Sequence, residues 1–195
     1  MKLIAITGGI GSGKSVVAHI VQVMGYCVYD CDSRAKALMA TDNEVKRQLV
    51  SVFGEQVYLA DGSLNRQYLS DVAFADYSAL EQLNAIVHPA TARDLLRWST
   101  EQANLGKNLA FVETALLRTA KLDRIIDAVW HVTAPDSVRI ERVMARSGLT
   151  PRQVQDRIAA QANEDSVAQG DYRIVNDNNS PLLPQVMRLL DKSAY

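Results

Sequence analysis

Short apolar runs recur along the chain, separated by longer stretches whose apolar positions fall three and four residues apart. The runs cover 2–6 (Lys-Leu-Ile-Ala-Ile), 26–29 (Tyr-Cys-Val-Tyr), 108–112 (Asn-Leu-Ala-Phe-Val), 128–132 (Ala-Val-Trp-His-Val) and 172–175 (Tyr-Arg-Ile-Val). Near-continuous apolar strands alternating with helices predict a parallel sheet buried on both faces. The expected fold is therefore α/β: three layers, α/β/α, around a five-stranded parallel sheet. Punctuation agrees with this. Gly25 closes the first helix, and Gly106 closes one running from about Pro89 to Asn104. Pro135 and Pro151 fall in first turns, with Thr150 as N-cap before Pro151.

The alternation fails once. Between Tyr29 and Asn108, about seventy residues read as helix and turn, where one crossover needs only about a dozen. The surplus, about 42–105, predicts a helical insertion beside a core of 1–41 and 106–195, within one 1–195 unit. It is either extra packing beside the sheet or a lobe that holds the second substrate. No internal repeat, low-complexity tract or interdomain linker interrupts the chain.

Of the 195 residues, 48% are hydrophobic and 22% charged, and the net charge is -1. That is an ordinary soluble composition with no basic field for nucleic acid. Cys27 and Cys31 match neither a disulfide framework nor a usual metal spacing, so reduced thiols in a cytoplasmic protein are expected. No apolar run reaches membrane-span length, and Met1-Lys2 leads into a strand without a signal-peptide pattern. The expectation is a monomer or weak homo-oligomer with no membrane partner.

Chemistry enters at Gly8-Gly9-Ile10-Gly11-Ser12-Gly13-Lys14-Ser15. This is the phosphate-binding pattern G-x-x-x-x-G-K-[ST], placed between a strand and a helix as that loop requires. Its glycines let backbone N–H groups approach phosphate oxygens, and the following helix adds the positive end of its dipole. Lys14 reaches the β- and γ-phosphates. The Ser15 hydroxyl is placed for Mg²⁺. The loop predicts Mg-ATP or Mg-GTP without naming the reaction.

Further candidates stand near strand ends, where ligands of open α/β sheets bind. Asp30 and Asp32 follow the second strand. A carboxylate there can orient a hydroxyl, accept its proton or hold Mg²⁺ through water, although Asp32 and Ser33 could simply cap the next helix. Glu113 follows the third strand, where it could face the metal. Arg139, Arg142 and Arg146 form a helical stripe, and Arg152 and Arg157 lie on the next helix. They are either a solvated face or an arginine-bearing lid over about 135–160 that closes on the triphosphate. His88-Pro89 lies at an expected helix junction. Asn176-Asp177-Asn178-Asn179 is either an adenine-reading loop or an Asx turn. His19 and His131 read as structural.

These residues together resemble the dephospho-coenzyme A kinase family. Ile6–Ser15 is similar to its L-T-G-G-I-G-S-G-K-S/T, and Val28-Tyr29-Asp30-Cys31-Asp32 to its V-x-D-A-D. Phe53-Gly54 and Gly62-Ser63-Leu64-Asn65-Arg66 resemble F-G and G-x-L-x-R, and His88-Pro89 resembles H-P. Arg142–Arg146 resembles R-x-x-x-R, Arg157–Gln161 resembles R-I-x-x-Q, and Asp171–Asn176 resembles A-D-x-V-I-x-N. The resemblance implies a P-loop kinase that uses ATP and Mg²⁺ to phosphorylate the ribose 3′-hydroxyl of dephospho-coenzyme A. By the same resemblance Asp32, Lys14 and Arg142 carry catalysis. Gly8, Gly9, Gly11, Ser12, Gly13, Lys14, Ser15, Val16, Arg146 and Asn176 bind the nucleotide, with Asn176 near adenine. Asp32, Lys36, Arg66 and His88 bind the acceptor. Ser15 holds Mg²⁺, with Asp32 or Glu113 through water.

The chain departs from the family pattern at Ala115–Thr119 (for P-L-L-F-E), Lys36 (for arginine), Gly170 (for alanine) and Val16 (for threonine). None of these removes a catalytic group named above; they bear on local packing and the exact substrate contacts, not on the reaction class. The rivals are a P-loop kinase for another small metabolite or nucleotide, and a GTPase switch. The switch lacks N-K-x-D and D-x-x-G sequences in this chain.

Overall fold

The computed structural model describes residues 1–193, apart from the side chains of Phe74 and Asn163. Five strands, β1 (Lys2–Thr7), β2 (Cys27–Asp30), β3 (Leu109–Glu113), β4 (Ala128–Thr133) and β5 (Tyr172–Val175), pair in the order β2-β3-β1-β4-β5. Every pairing is parallel. Each strand lies within a residue or so of an apolar run in the sequence.

Helix α1 (Lys14–Val23) follows β1, and α9 (Leu182–Ser193) ends the described chain. Their apolar faces cover Ile4, Ile6, Phe111, Trp130 and Ile174 of the sheet. Leu3, Ala5, Val112 and His131, which alternate with those residues, are buried as well. The sheet is thus covered on both faces, and its strands read as apolar runs for that reason. From β1 the chain moves toward β2, and from β3 it moves the other way toward β4. The carboxyl ends of the adjacent β1 and β3 therefore flank a topological switch point, where open sheets bind ligands.

The chain divides into two compact units, residues 1–30 with 99–195 and residues 31–98. The second unit begins with α2 (Cys31–Thr41), earlier than the expected boundary near 42, and ends near 98 rather than 105. The cause is Leu38 of α2, which packs with Val45, Leu49 and Phe53 of α3 (Asn43–Phe53) in this unit's own core. Asp42 caps α3 by accepting from Glu44 N at 2.9 Å and Val45 N at 3.0 Å. Leu69 of α4 (Arg66–Ala75) completes the packing with Ile86 and Ala90.

One expected boundary is corrected. The helix assigned to Pro89–Asn104 is α5, Tyr77–Asn104, with Pro89 inside it. Proline removes one helical hydrogen bond. Burial of Ile86, Val87, Ala90 and Leu95 on either side of it outweighs that local signal. His88 therefore lies in mid-helix and not at a junction.

In the first unit, Pro135 is the N-cap of α6 (Asp136–Ser147). Thr150 caps α7 (Pro151–Ala160) in a reciprocal capping box with Gln153. The four-residue α8 (Ala162–Asp165) follows directly.

Candidate active site

The loop from Gly8 to Gly13 leaves the carboxyl end of β1 beside the switch point. Gly8, Gly11 and Gly13 have φ of 141°, 78° and 95°, conformations that favour glycine. Gly8 is also tightly packed, since a Cβ there would lie 2.2 Å from the Val132 carbonyl oxygen. Gly13 caps α1 without a side-chain bond, which leaves the helix's positive end for an anion. Lys14 Nζ donates to the Gly9 carbonyl at 3.3 Å, holding the ammonium across the loop. The buried hydroxyls of Thr7 and Ser12 have no hydrogen-bond partner among the described residues.

The loop's carbonyls are gripped from outside. Arg139 Nε donates to Ile10 O at 2.8 Å. Arg142 Nη1 donates to Gly11 O and Ser12 O, each at 3.4 Å. Asn176 Nδ2 donates to Ser12 O at 2.8 Å. In a trans peptide the C=O of one residue and the N–H of the next point opposite ways. Cations and an amide on the outer side therefore turn the N–H groups of Gly11 and Gly13 inward. Such preorganised donors bind phosphate without reorganising.

This geometry revises the expected arginine stripe. Arg139 is buried, and besides Ile10 it binds Asp165 Oδ2 at 2.8 Å and Asp136 Oδ1 at 3.2 Å. Arg142 is half-buried and also donates to Asn176 Oδ1 at 3.1 Å and to Asn178 Oδ1. Both arginines thus bolt α6 to the loop, and α6 does not read as a free lid. Arg146 is exposed in the last turn of α6, and Arg152 and Arg157 are exposed on α7.

Asn176 is buried with both ends of its amide engaged, one on Ser12 and one on Arg142. The four-residue stretch it begins is an Asx turn. Asp177 Oδ1 accepts from Asn179 N at 3.0 Å and Ser180 N at 2.7 Å, holding the Asp177 carboxyl below its usual range.

The backbone of Glu113 lies between Ile6 and Asp30 in the sheet register. Ile6, Phe111 and Val28 pack on the face covered by α1. Glu113 and Asp30, two residues beyond Phe111 and Val28, share that parity. Ser15 and Val16 are exposed in the first turn of α1. No group of three or more potential metal-ligating side chains occurs among the described residues.

In the second unit, Asp32 lies in the first turn of α2, which starts at Cys31. It is a helical residue and not the cap before the helix. Asp32, Lys36 and Arg66 are exposed, and His88 is half-buried. The turn carrying Asp32 is anchored by Arg34, whose guanidinium donates to both carboxylate oxygens of buried Asp94, at 2.7 and 2.8 Å. Arg97 binds the same carboxylate.

Asp94, Asp165 and Gly9's packing role escape a reading of the sequence by motif alone. Asp94 carried a usable signal: a lone carboxylate in the buried stripe Val87, Ala90, Leu95. Asp165 carried none, because its partner Arg139 is distant in sequence.

The sequence model of the dephospho-CoA kinase family matches residues 2–181. The chain belongs to the dephospho-CoA kinase family. A dephospho-CoA kinase from Porphyromonas gingivalis is 37% identical over 193 residues, covering 98% of this chain and 94% of that one. One from Bacteroides fragilis is 35% identical over 188 residues, covering 96% and 90%. A solved dephospho-CoA kinase from Campylobacter jejuni has the same fold, with a TM-score of 0.72 at 21% identity over 98% of this chain and 97% of that one. Membership in the family makes the chain an ATP-using kinase acting on a small molecule. No helix among the described residues is long and apolar enough to cross a membrane.

Proposed function

We propose that this kinase transfers the γ-phosphoryl group of ATP to the ribose 3′-hydroxyl of dephospho-coenzyme A, the last step of coenzyme A synthesis. Family membership over residues 2–181 supports the reaction. The observation that carries the site is the phosphate loop itself, whose carbonyls at Ile10, Gly11 and Ser12 all accept from side chains distant in sequence, Arg139, Arg142 and Asn176.

Lys14 neutralises charge on the transferring phosphoryl group, and the inward amides of Gly11 and Gly13 hold the phosphates. Asp32 accepts the proton of the 3′-hydroxyl as it attacks. Lys36, Arg66 and His88 contribute acceptor contacts. Arg142 supports the loop from behind. The moving arginines are Arg146, Arg152 and Arg157, so closure belongs to about 146–160 and not to the whole of 135–160.

A magnesium ion fits the residues present. The Ser15 hydroxyl and the carboxylates of Asp30 and Glu113 would supply an all-oxygen set. A set so small suits an ion held mainly by phosphates. When bound, the ion would neutralise charge on the β- and γ-phosphates. Cytoplasmic residence and a monomeric or weakly associating state complete the reading.

The test is coupled ADP release with ATP and dephospho-coenzyme A, run beside GTP and beside other hydroxyl acceptors. Turnover should require dephospho-coenzyme A. ADP release no faster with it than with water would reject the assignment. Faster turnover of another acceptor would move the chain to a different substrate.

A further inference from the structure

Ile10 is held at both polar atoms by side chains far away in the sequence. Its N–H donates to Gln161 Oε1 at 2.8 Å, and its carbonyl accepts from Arg139 Nε at 2.8 Å. The two grips are joined behind the loop. Arg139 Nη2 donates to Asp165 Oδ2 at 2.8 Å, and Asp165 N donates to the Gln161 carbonyl at 3.0 Å. The result is a closed ring: Ile10, Gln161, Asp165, Arg139 and back to Ile10.

Gly9 completes the seat. A Cβ at Gly9 would lie 2.1 Å from both Arg139 Nη2 and Asp165 Oδ1, so the loop rests directly on the ion pair.

We propose that Gln161 is a positioning residue of the donor site, coupling the corner between α7 and α8 to the phosphate-binding loop through Ile10. Gln161 is at once the C-cap of α7 and the N-cap of α8. The other end of α7 is closed by its own capping box, Thr150 with Gln153. Of its two ends, the one capped by Gln161 therefore carries the grip on Ile10. Any swing of α7 with Arg152 and Arg157 pivots at this end.

The ring fixes the peptides on either side of Ile10. The Ile10–Gly11 peptide supplies one of the inward N–H groups. Phosphate binding and the seating of α7 are thereby linked through one loop residue. The coupling rests on the reading of the loop as an ATP site and is independent of the acceptor's identity.

The test replaces the acceptor atom with an apolar side chain of equal length, Gln161→Met. Its melting temperature, ATP binding by calorimetry and the KM for each substrate are compared with wild type. ATP affinity should weaken about tenfold, the scale of one hydrogen bond. The KM for dephospho-coenzyme A should move by less than about twofold, since that site is untouched. Asp165→Asn should weaken ATP binding too. The double variant should lose less than the product of the two losses, because one cut already opens the ring.

Amide exchange in the wild-type chain needs no variant. Ile10 N–H should be protected without nucleotide. Unchanged ATP affinity in a folded Gln161→Met chain, multiplicative losses in the double variant, or rapid Ile10 exchange in wild type would each overturn the coupling. A chain that binds ATP yet does not phosphorylate dephospho-coenzyme A would sink the proposed acceptor while the binding measurements still decide Gln161.

Discussion

Asn176 Nδ2 donates to the carbonyl of Ser12 at 2.8 Å, tying the end of β5 to the middle of the phosphate loop across 164 positions of sequence. The contact is buried, and the packing leaves no slack. A Cβ on Gly13 would lie 2.0 Å from the same nitrogen.

Asn176→Asp keeps the shape and removes the donor, so two acceptors would face each other in a buried site. The expected loss is about 1–3 kcal/mol of stability, the cost of an unsatisfied buried group. A raised KM for ATP should accompany it, read by thermal melting and steady-state kinetics. The alternative role, reading adenine, makes a different prediction. If the variant lost preference for ATP over GTP while total triphosphate affinity held, Asn176 would belong to the base and not to the loop.

Gly9 occupies a position that the general phosphate-loop pattern leaves open. Here its backbone lies against the Arg139–Asp165 pair, at separations that exclude any side chain. Gly9→Ala should break that pair and leave buried Arg139 with Asp136 as its remaining carboxylate partner, costing roughly 1–3 kcal/mol. ATP turnover should fall with it. Melting curves and ATP affinity provide the check. A variant as stable and active as wild type would mean that the pair yields freely and does not set the loop.

Much of this architecture was legible in the sequence. The strands were readable because both sheet faces are buried, so Leu3–Ile6 and Ala110–Val112 carry apolar side chains on both sides. The phosphate loop was readable because its chemistry is contiguous. Pro89 misled because a local helix breaker was outweighed by the buried residues flanking it, a tertiary effect with no local trace. The arginines misled for a related reason. Spacing put Arg139, Arg142 and Arg146 on one stripe, yet only the fold shows the first two facing loop carbonyls and the third facing solvent. Gln161 appeared as a family letter, and its partner, a backbone N–H in Ile10, is invisible to any pattern of side chains.

The proposed roles of Lys14 and Asp32 give a separable pair of variants. Lys14→Ala removes the donor-side cation, and turnover should vanish together with much of the ATP affinity. Asp32→Asn removes the proposed base, and turnover should fall by about 10²–10⁴-fold with ATP affinity nearly intact. Arg34 holds the turn that carries Asp32 by its bidentate grip on Asp94, so the substituted chain should stay folded. Steady-state kinetics and calorimetry on each variant separate the cases. Near-normal turnover of the Asp32→Asn chain would take proton abstraction away from this residue.

His131 on β4 sets a pH dependence of stability. It is buried at 1% exposure, and its Nδ1 lies 3.9 Å from Asp171 Oδ2. Burial pushes its pKa below the ordinary histidine value. Asp171 and Asp165 pull it back up, and Arg118 and Arg173 push it further down. Above about pH 6.5 the imidazole is neutral in both folded and unfolded chains and contributes no slope. As pH falls below that value the unfolded chain takes up the proton and the native one does not. Stability therefore declines until the lowered native pKa is reached, by at most about 1.4 kcal/mol per pH unit. His131→Leu removes this contribution while leaving every other titrating group in place. Between pH 7.5 and 5.5 the melting temperature of the wild type should fall more steeply than that of the variant. Parallel curves would show that His131 takes its proton as readily in the folded chain as in the unfolded one.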